Sequence, residues 1–152
     1  MRHITFLIIC IALFSCQNSK SKTGKTDSAI ISNPNDTSVI TTVTYSGTLP
    51  CADCEGIITD LTLTTNTDNK DYHFSMKETY LGKNQSFPSE GNFAVLQGTP
   101  ADPAATIIQL NPDKDKNLQR YFKKVSENEL KLLDSEMKTI ESNHNYSLKK
   151  VQ

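Results

Sequence analysis

Turn-forming clusters recur along this chain at such close intervals that only short strands fit between them. Asp68-Asn69-Lys70-Asp71, Gly82-Lys83-Asn84, Gly98-Thr99-Pro100, Asn111-Pro112-Asp113 and Ser126-Glu127-Asn128 bring together residues that accept left-handed backbone, preset φ or bond their own main chain. The segments between them alternate. Tyr72, Phe74 and Met76 interleave with His73, Ser75 and Lys77, the clearest two-faced strand pattern in the chain. Val39, Thr41, Val43 and Tyr45 interleave with Ile40, Thr42 and Thr44, a β-branched run that suits a pleated surface. Ile58, Leu61 and Leu63 lie among polar partners in residues 58–67, and further candidates are 89–97, 105–110, 118–125, 129–133 and 146–151. About eight short strands at this spacing predict an all-β domain, as an antiparallel meander, a sandwich or a small barrel. Residues 113–120 have room for a helical turn and residues 135–142 for a short helix.

The start of the chain sets where such a domain works. Arg2 and His3 precede an apolar run, Ile4 to Phe14, too short to stay in a bilayer as a spanning helix. It ends in Leu13-Phe14-Ser15-Cys16, the kind of site where a bacterial lipoprotein precursor is lipidated on cysteine and cut before it. Phe14 is bulkier than the residue usual at its place. Residues 1–15 are therefore expected to be a removed signal peptide, with Cys16 as lipid acceptor. Residues 16–38 then form a tether and 39–152 the folded domain. From Gln17 to Ser38 the composition is Gln, Asn, Ser, Thr, Lys and Asp with one Gly and Pro34 near the end, interrupted only by Ala29, Ile30 and Ile31. Such a segment buries too little apolar surface to offset its ordering entropy, and flexible-chain statistics put its ends roughly 25 Å apart. Each methylene of the anchor adds roughly 0.8 kcal/mol, so two or more acyl chains hold firmly. The domain then faces an oxidising compartment, without a cytoplasmic supply of ATP or NAD.

A chain of 152 residues has room for one domain with its own core. Its net charge of −1 leaves no basic field to grip a phosphate backbone, which excludes nucleic acid as a partner. The sequence also lacks a Gly-rich phosphate loop, a Gly-x-Ser-x-Gly elbow and a His-Glu-x-x-His motif. His73 and His144 stand alone, and Asp53 and Glu55 read as acids that solvate a loop. No enzyme is expected.

Four cysteines sort into two kinds. Cys10 lies in the leader and Cys16 is the lipid acceptor, which leaves Cys51 and Cys54 for the domain. They sit between the first two predicted strands, after Pro50 and before Gly56. The proline fixes φ and removes a donor, and the glycine permits a sharp exit, so the pair belongs on a tight loop. Three chemistries suit it. A local disulfide would staple the loop, worth about 2 kcal/mol in the chain-entropy picture. Two thiolates this close could instead clasp Cu(I), with His73, Met76, Met137 and His144 as possible further soft ligands; structural zinc would need a second pair. A redox dithiol is the third, but Asp53 and Glu55 would raise a thiol pKa and a strand follows instead of a helix.

The stretch from Tyr45 to Ile57, centred on Leu49-Pro50-Cys51-Ala52-Asp53-Cys54-Glu55-Gly56, resembles the signature of the copper-resistance, NlpE-like lipoproteins. Leu61-Thr62-Leu63, Glu78-Thr79-Tyr80-Leu81-Gly82, Glu90-Gly91-Asn92-Phe93, Gln119-Arg120-Tyr121-Phe122 and Leu130-Lys131-Leu132-Leu133-Asp134 agree in order. The resemblance covers about residues 43–141. It implies a small antiparallel up-and-down barrel of about eight strands, akin to bacterial lipocalins. It also implies an outer-membrane position facing the periplasm, and a part in copper tolerance and envelope-stress signalling through a sensor protein. Cys51 and Cys54 become the functional focus, supported by Pro50, Asp53, Glu55 and Gly56. Some members carry a second β domain with its own cysteine pair, and functions residing there are not carried over. A second reading comes from the barrel itself, whose interior is either filled or able to hold one small ligand. Tyr72, Phe74, Phe87, Phe93, Tyr121 and Phe122 are the side chains to fill or line it. On that reading the protein carries a small hydrophobic ligand and the Cys51–Cys54 disulfide is purely structural.

Overall fold

Each strand pairs with the next in sequence, and the eighth returns to the first, closing an antiparallel up-and-down barrel. The computed structural model describes residues 39–66, 68, 70–83 and 85–151. The leader, Cys16 and the tether lie outside them, as do Thr67, Asn69 and Asn84 of the predicted strand and turns. The strands are β1 (Ile40–Leu49), β2 (Ile57–Asn66), β3 (Asp71–Tyr80), β4 (Gln85–Gln97), β5 (Thr106–Leu110), β6 (Arg120–Ser126), β7 (Glu129–Leu132) and β8 (Ser147–Lys150). The helical turn expected within residues 113–120 is a single 3-10 turn, Lys116–Leu118.

The short helix expected over residues 135–142 is absent. Asp134 accepts bonds from the backbone N–H of Glu136 and of Lys138, both at 2.8 Å, and Met137 takes φ 60°. A side chain that captures nearby backbone donors offers the chain a turn in place of a helix. The segment then bridges back from Thr139 to Leu133.

Alternation turns one face of every strand inside. Tyr45, Leu49, Leu61, Leu63, Phe74, Met76, Phe93, Ile108, Leu110, Phe122, Leu130 and Leu148 form one buried cluster, contributed by all eight strands. A second cluster joins Ala105, Ile107, Tyr121 and Leu133, with Leu96 and Met137 packed against it. Ile107 and Tyr121 are the outward neighbours of Ile108 and Phe122, so this cluster lies on the outer wall under the segment that follows β7. β5 is thereby buried on both faces, as its continuous apolar run Ile107-Ile108 requires.

Among the aromatic residues expected inside, Phe74, Phe93 and Phe122 are buried there, and Tyr72 packs against them with its ring 5.4 Å from Phe93. Tyr121 is buried outside the wall. Phe87 departs further: it is 51% exposed and stacks edge-on against Tyr80. Its strand is the cause. β4 is 13 residues long but meets β5 only from Phe93 onward, so its first half stands beyond the closed wall.

Closure also depends on a glycine. A Cβ on Gly47 would fall 2.6 Å from the Ser147 carbonyl oxygen, so only a bare α-carbon lets β8 come this close to β1.

The up-and-down order sorts the connections by end. The loops β1–β2, β3–β4, β5–β6 and β7–β8 share one end of the barrel. The other end receives the chain at Val39, carries the remaining turns and releases it at Val151.

Candidate functional site

The loop joining β1 to β2 is held at both ends by its strands, through the pair Leu49 and Ile57. Pro50 leads out of β1, and Gly56 leads into β2 with φ 153°, where a side chain would meet Thr48. Gly56 is buried, and its carbonyl accepts a 2.9 Å bond from the Leu81 N–H. The β3–β4 turn is thus bound directly beneath the loop.

Cys51 and Cys54 form a disulfide, with Cα atoms 5.3 Å apart. Cys51 Sγ lies 3.5 Å from Asp53 Oδ1, and Cys54 Sγ lies 3.3 Å from the Gly56 carbonyl oxygen. Both sulfurs are bonded and carry no proton, so these are close contacts.

Asp53 is exposed and takes a 2.6 Å bond from Lys83 Nζ on the β3–β4 turn. This hydrogen bond, backed by the charge of the same ammonium, holds the Asp53 carboxyl below the usual carboxylate range. Glu55 is exposed and sits beside Gly82, whose φ of 77° makes the turn. Lys83 is the residue that sequence reading missed. It lies 30 positions from Asp53, and up-and-down order puts both loops at one end without showing which side chains meet there.

The donor set that forms is Cys51, Asp53 and Cys54, whose ligand atoms lie within 4.8 Å of one another. The other proposed soft ligands are not part of it. Met76 is in the core, and Met137 packs on the outer wall. His73 pairs with Asp71 at 2.8 Å, at the start of β3 and so at the opposite end of the barrel. His144 is exposed and belongs to no such group among the described residues. Two sulfurs and a carboxylate suit a soft monovalent ion only once the disulfide is open, because a bonded sulfur is a poor ligand.

Across the interior at this end, Arg120 forms a two-pronged pair with Glu78, at 2.9 and 3.2 Å. The Glu78 side chain is only 12% exposed. This pair braces β3 against β6 below the loop.

Comparison with known proteins agrees with the geometry. The family model described as the NlpE N-terminal domain matches residues 45–143. Lipoprotein NlpE of Escherichia coli (strain K12) is 35% identical over 108 residues, which is 71% of this chain and 40% of that relative. The chain thus spans well under two thirds of that relative's length. No solved structure matches it. With most of the barrel inside the matched span, the chain belongs to the family of the NlpE N-terminal domain.

Proposed function

We propose that this protein is a lipid-anchored lipoprotein of the outer membrane, facing the periplasm, that acts in copper homeostasis and envelope-stress sensing through its Cys51–Cys54 loop. The observation that carries the reading is the loop itself: two cysteines and Asp53 gathered at an exposed end of a rigid barrel. Membership of the family and the relative's name as a lipoprotein support the anchor, for which Cys16 is the acceptor. Residues 1–15 are then the signal peptide, 16–38 the tether and 39–152 the barrel domain.

The loop is a two-state element. A newly exported chain carries free thiols, and envelope oxidation joins them into the disulfide. Copper captured as Cu(I) by the two thiolates would compete with that oxidation and release their protons. The two products differ at the loop surface: one leaves Asp53 latched to Lys83, and the other draws its carboxylate toward the ion. Pro50, Glu55 and Gly56 keep the loop's path the same in either state, so a sensor protein docked on this end would read the change at Cys51, Asp53 and Cys54.

The test is a thiol count on Cys51 and Cys54, alkylated inside intact cells before lysis, with and without added copper. Thiols that copper shields from alkylation, in a chain whose Cys51→Ser/Cys54→Ser variant loses copper-dependent stability, are the expected result. A pair fully oxidised under both conditions would make the loop structural and end the Cu(I) reading.

A further inference from the structure

One strand of the barrel outruns its neighbour. β4 pairs with β3 from Gln85 to Asn92, but β5 meets it only from Phe93 to Gln97. The last rung to β5 is the 2.8 Å bond from the Asn111 N–H to the Asn92 carbonyl oxygen. Asn111 takes φ 54°, and the chain turns away toward the 3-10 turn Lys116–Leu118. Backbone groups point to alternate sides along an antiparallel strand. The Asn92 bond therefore identifies Ser86, Pro88 and Glu90 as the residues that face the open edge. Among the described residues no strand lies beside them, and Gln85 to Glu90 are all exposed. We propose that this edge docks an extended segment of another polypeptide, added in line with β5. Its apolar side chains lie opposite Ser89 and Phe87, and a basic one lies opposite Glu90.

The rungs argue for a foreign strand. Ser86 and Glu90 each present an N–H and a carbonyl, whereas Pro88 between them presents a carbonyl alone. Proline in that place costs nothing toward β3, because the missing donor would have pointed outward. It does weaken self-pairing, since a second copy would bring the same missing donor into the ladder twice. A different chain, with a full set of donors, suffers that loss once, and strand addition of this kind is a common mode of peptide recognition.

Side-chain chemistry narrows the partner. On the inner side, a gap of about 210 Å³ lies between Ser89 and Leu118, floored by Met76 and Leu110. The floor is closed core, so an added side chain rests on it and does not enter the barrel. A cavity of about 150 Å³ holds a benzene, so the gap suits one large apolar side chain. Phe87 and Leu118, 51% and 54% exposed, flank it and lose water when it is covered. On the outer side, Glu90 is exposed and faces the neutral Ser75 across β3. It joins no ion pair among the described residues, and an opposite charge on the next strand complements it. The edge and its chemistry stand without the copper reading; only the partner's compartment rests on the lipid-anchored one.

The experiment uses the purified full chain in detergent micelles and the peptide acetyl-Thr-Lys-Leu-Thr-Leu-Thr-Thr-amide, followed by residue-resolved amide exchange. Its lysine is placed opposite Glu90 and its leucines opposite Ser89 and Phe87. At about ten times its Kd the peptide should slow exchange at the Ser86 and Glu90 amides about tenfold. The amides of Phe87 and Ser89, already turned to β3, should not change. Glutamate in place of the peptide's lysine should weaken binding about threefold. Glu90→Pro removes a donor that points outward, leaves the β3–β4 rungs intact and should abolish protection of Ser86. Pro88→Val supplies the missing donor and should tighten binding about fivefold. Unprotected Ser86 and Glu90 amides at millimolar peptide, or protection of Ser86 that survives Glu90→Pro, would overturn the site. So would a chain that sediments as a dimer with both amides slow before peptide is added, because a second copy would then hold the edge.

Discussion

At the scale of single residues, Lys83 decides more about the cysteine loop than any neighbour in sequence. It bonds Asp53 across two connections and fixes the carboxylate that faces Cys51. Lys83→Gln should return the Asp53 titration upward toward the ordinary carboxylate range, as followed by its carboxyl NMR shift against pH; an unmoved titration would show that the pairing does not persist in solution. The residues that sequence could name here were those carrying their own chemistry: Cys51, Cys54 and the flanking Pro50 and Gly56. Their acidic companions were legible only as types. That Asp53 joins the sulfurs while Glu55 turns away toward Gly82 follows from backbone geometry, which no local pattern encodes. His73 and Met76 show the same limit. Both are sound soft ligands in isolation, but one lies at the far end of the barrel and the other is 5% exposed in the core.

Among the elements, alternation carried most of the information. β3 was readable because Tyr72, Phe74 and Met76 share a face that is buried and His73, Ser75 and Lys77 share one that is not. β5 was harder, since Ile107 and Ile108 are both buried and periodicity cannot say what covers the outer face. The cover comes from the segment after β7, where Asp134 captures two backbone donors and prevents the helix that composition allowed. β8, at four residues, closes the barrel only because β1 offers a glycine opposite it. Gly47→Ala must push a Cβ against the Ser147 carbonyl, and overpacking of this kind costs about 1–3 kcal/mol. Urea unfolding should show that loss with the m-value unchanged; a neutral substitution would mean that β8 docks more loosely than its register with Tyr45 and Ser46 implies.

For the whole molecule, surface pairs set how stability responds to pH. Lysine hydrogen bonds hold Asp53, Asp102, Glu127 and Glu129 below the ordinary carboxylate range, through Lys83, Lys123, Lys124 and Lys149 in turn. Each folded-state pKa is lowered, so the unfolded chain binds more protons and stability rises with pH through that range. The contribution is complete above about pH 5 and is lost as pH falls through the lowered native values. These pairs are solvent-facing, so the slope should be shallow and should flatten near 1 M salt, where the screening length is about 3 Å. Thermal melts from pH 3 to 7 at low and high salt check this, and a melting temperature that rises on acidification would contradict it. By itself the sequence determined that the chain is all-β with about eight strands, which face of most strands is apolar, and where its reactive sulfurs lie. Those features are local: turn residues, a period of two and a pair of cysteines are each written within a few positions. The tertiary structure alone decided the register in which β8 meets β1, that Lys83 reaches Asp53, and that His73 and the cysteines occupy opposite ends. Each of these joins residues tens of positions apart, and such contacts are fixed only when closure brings whole strands into register.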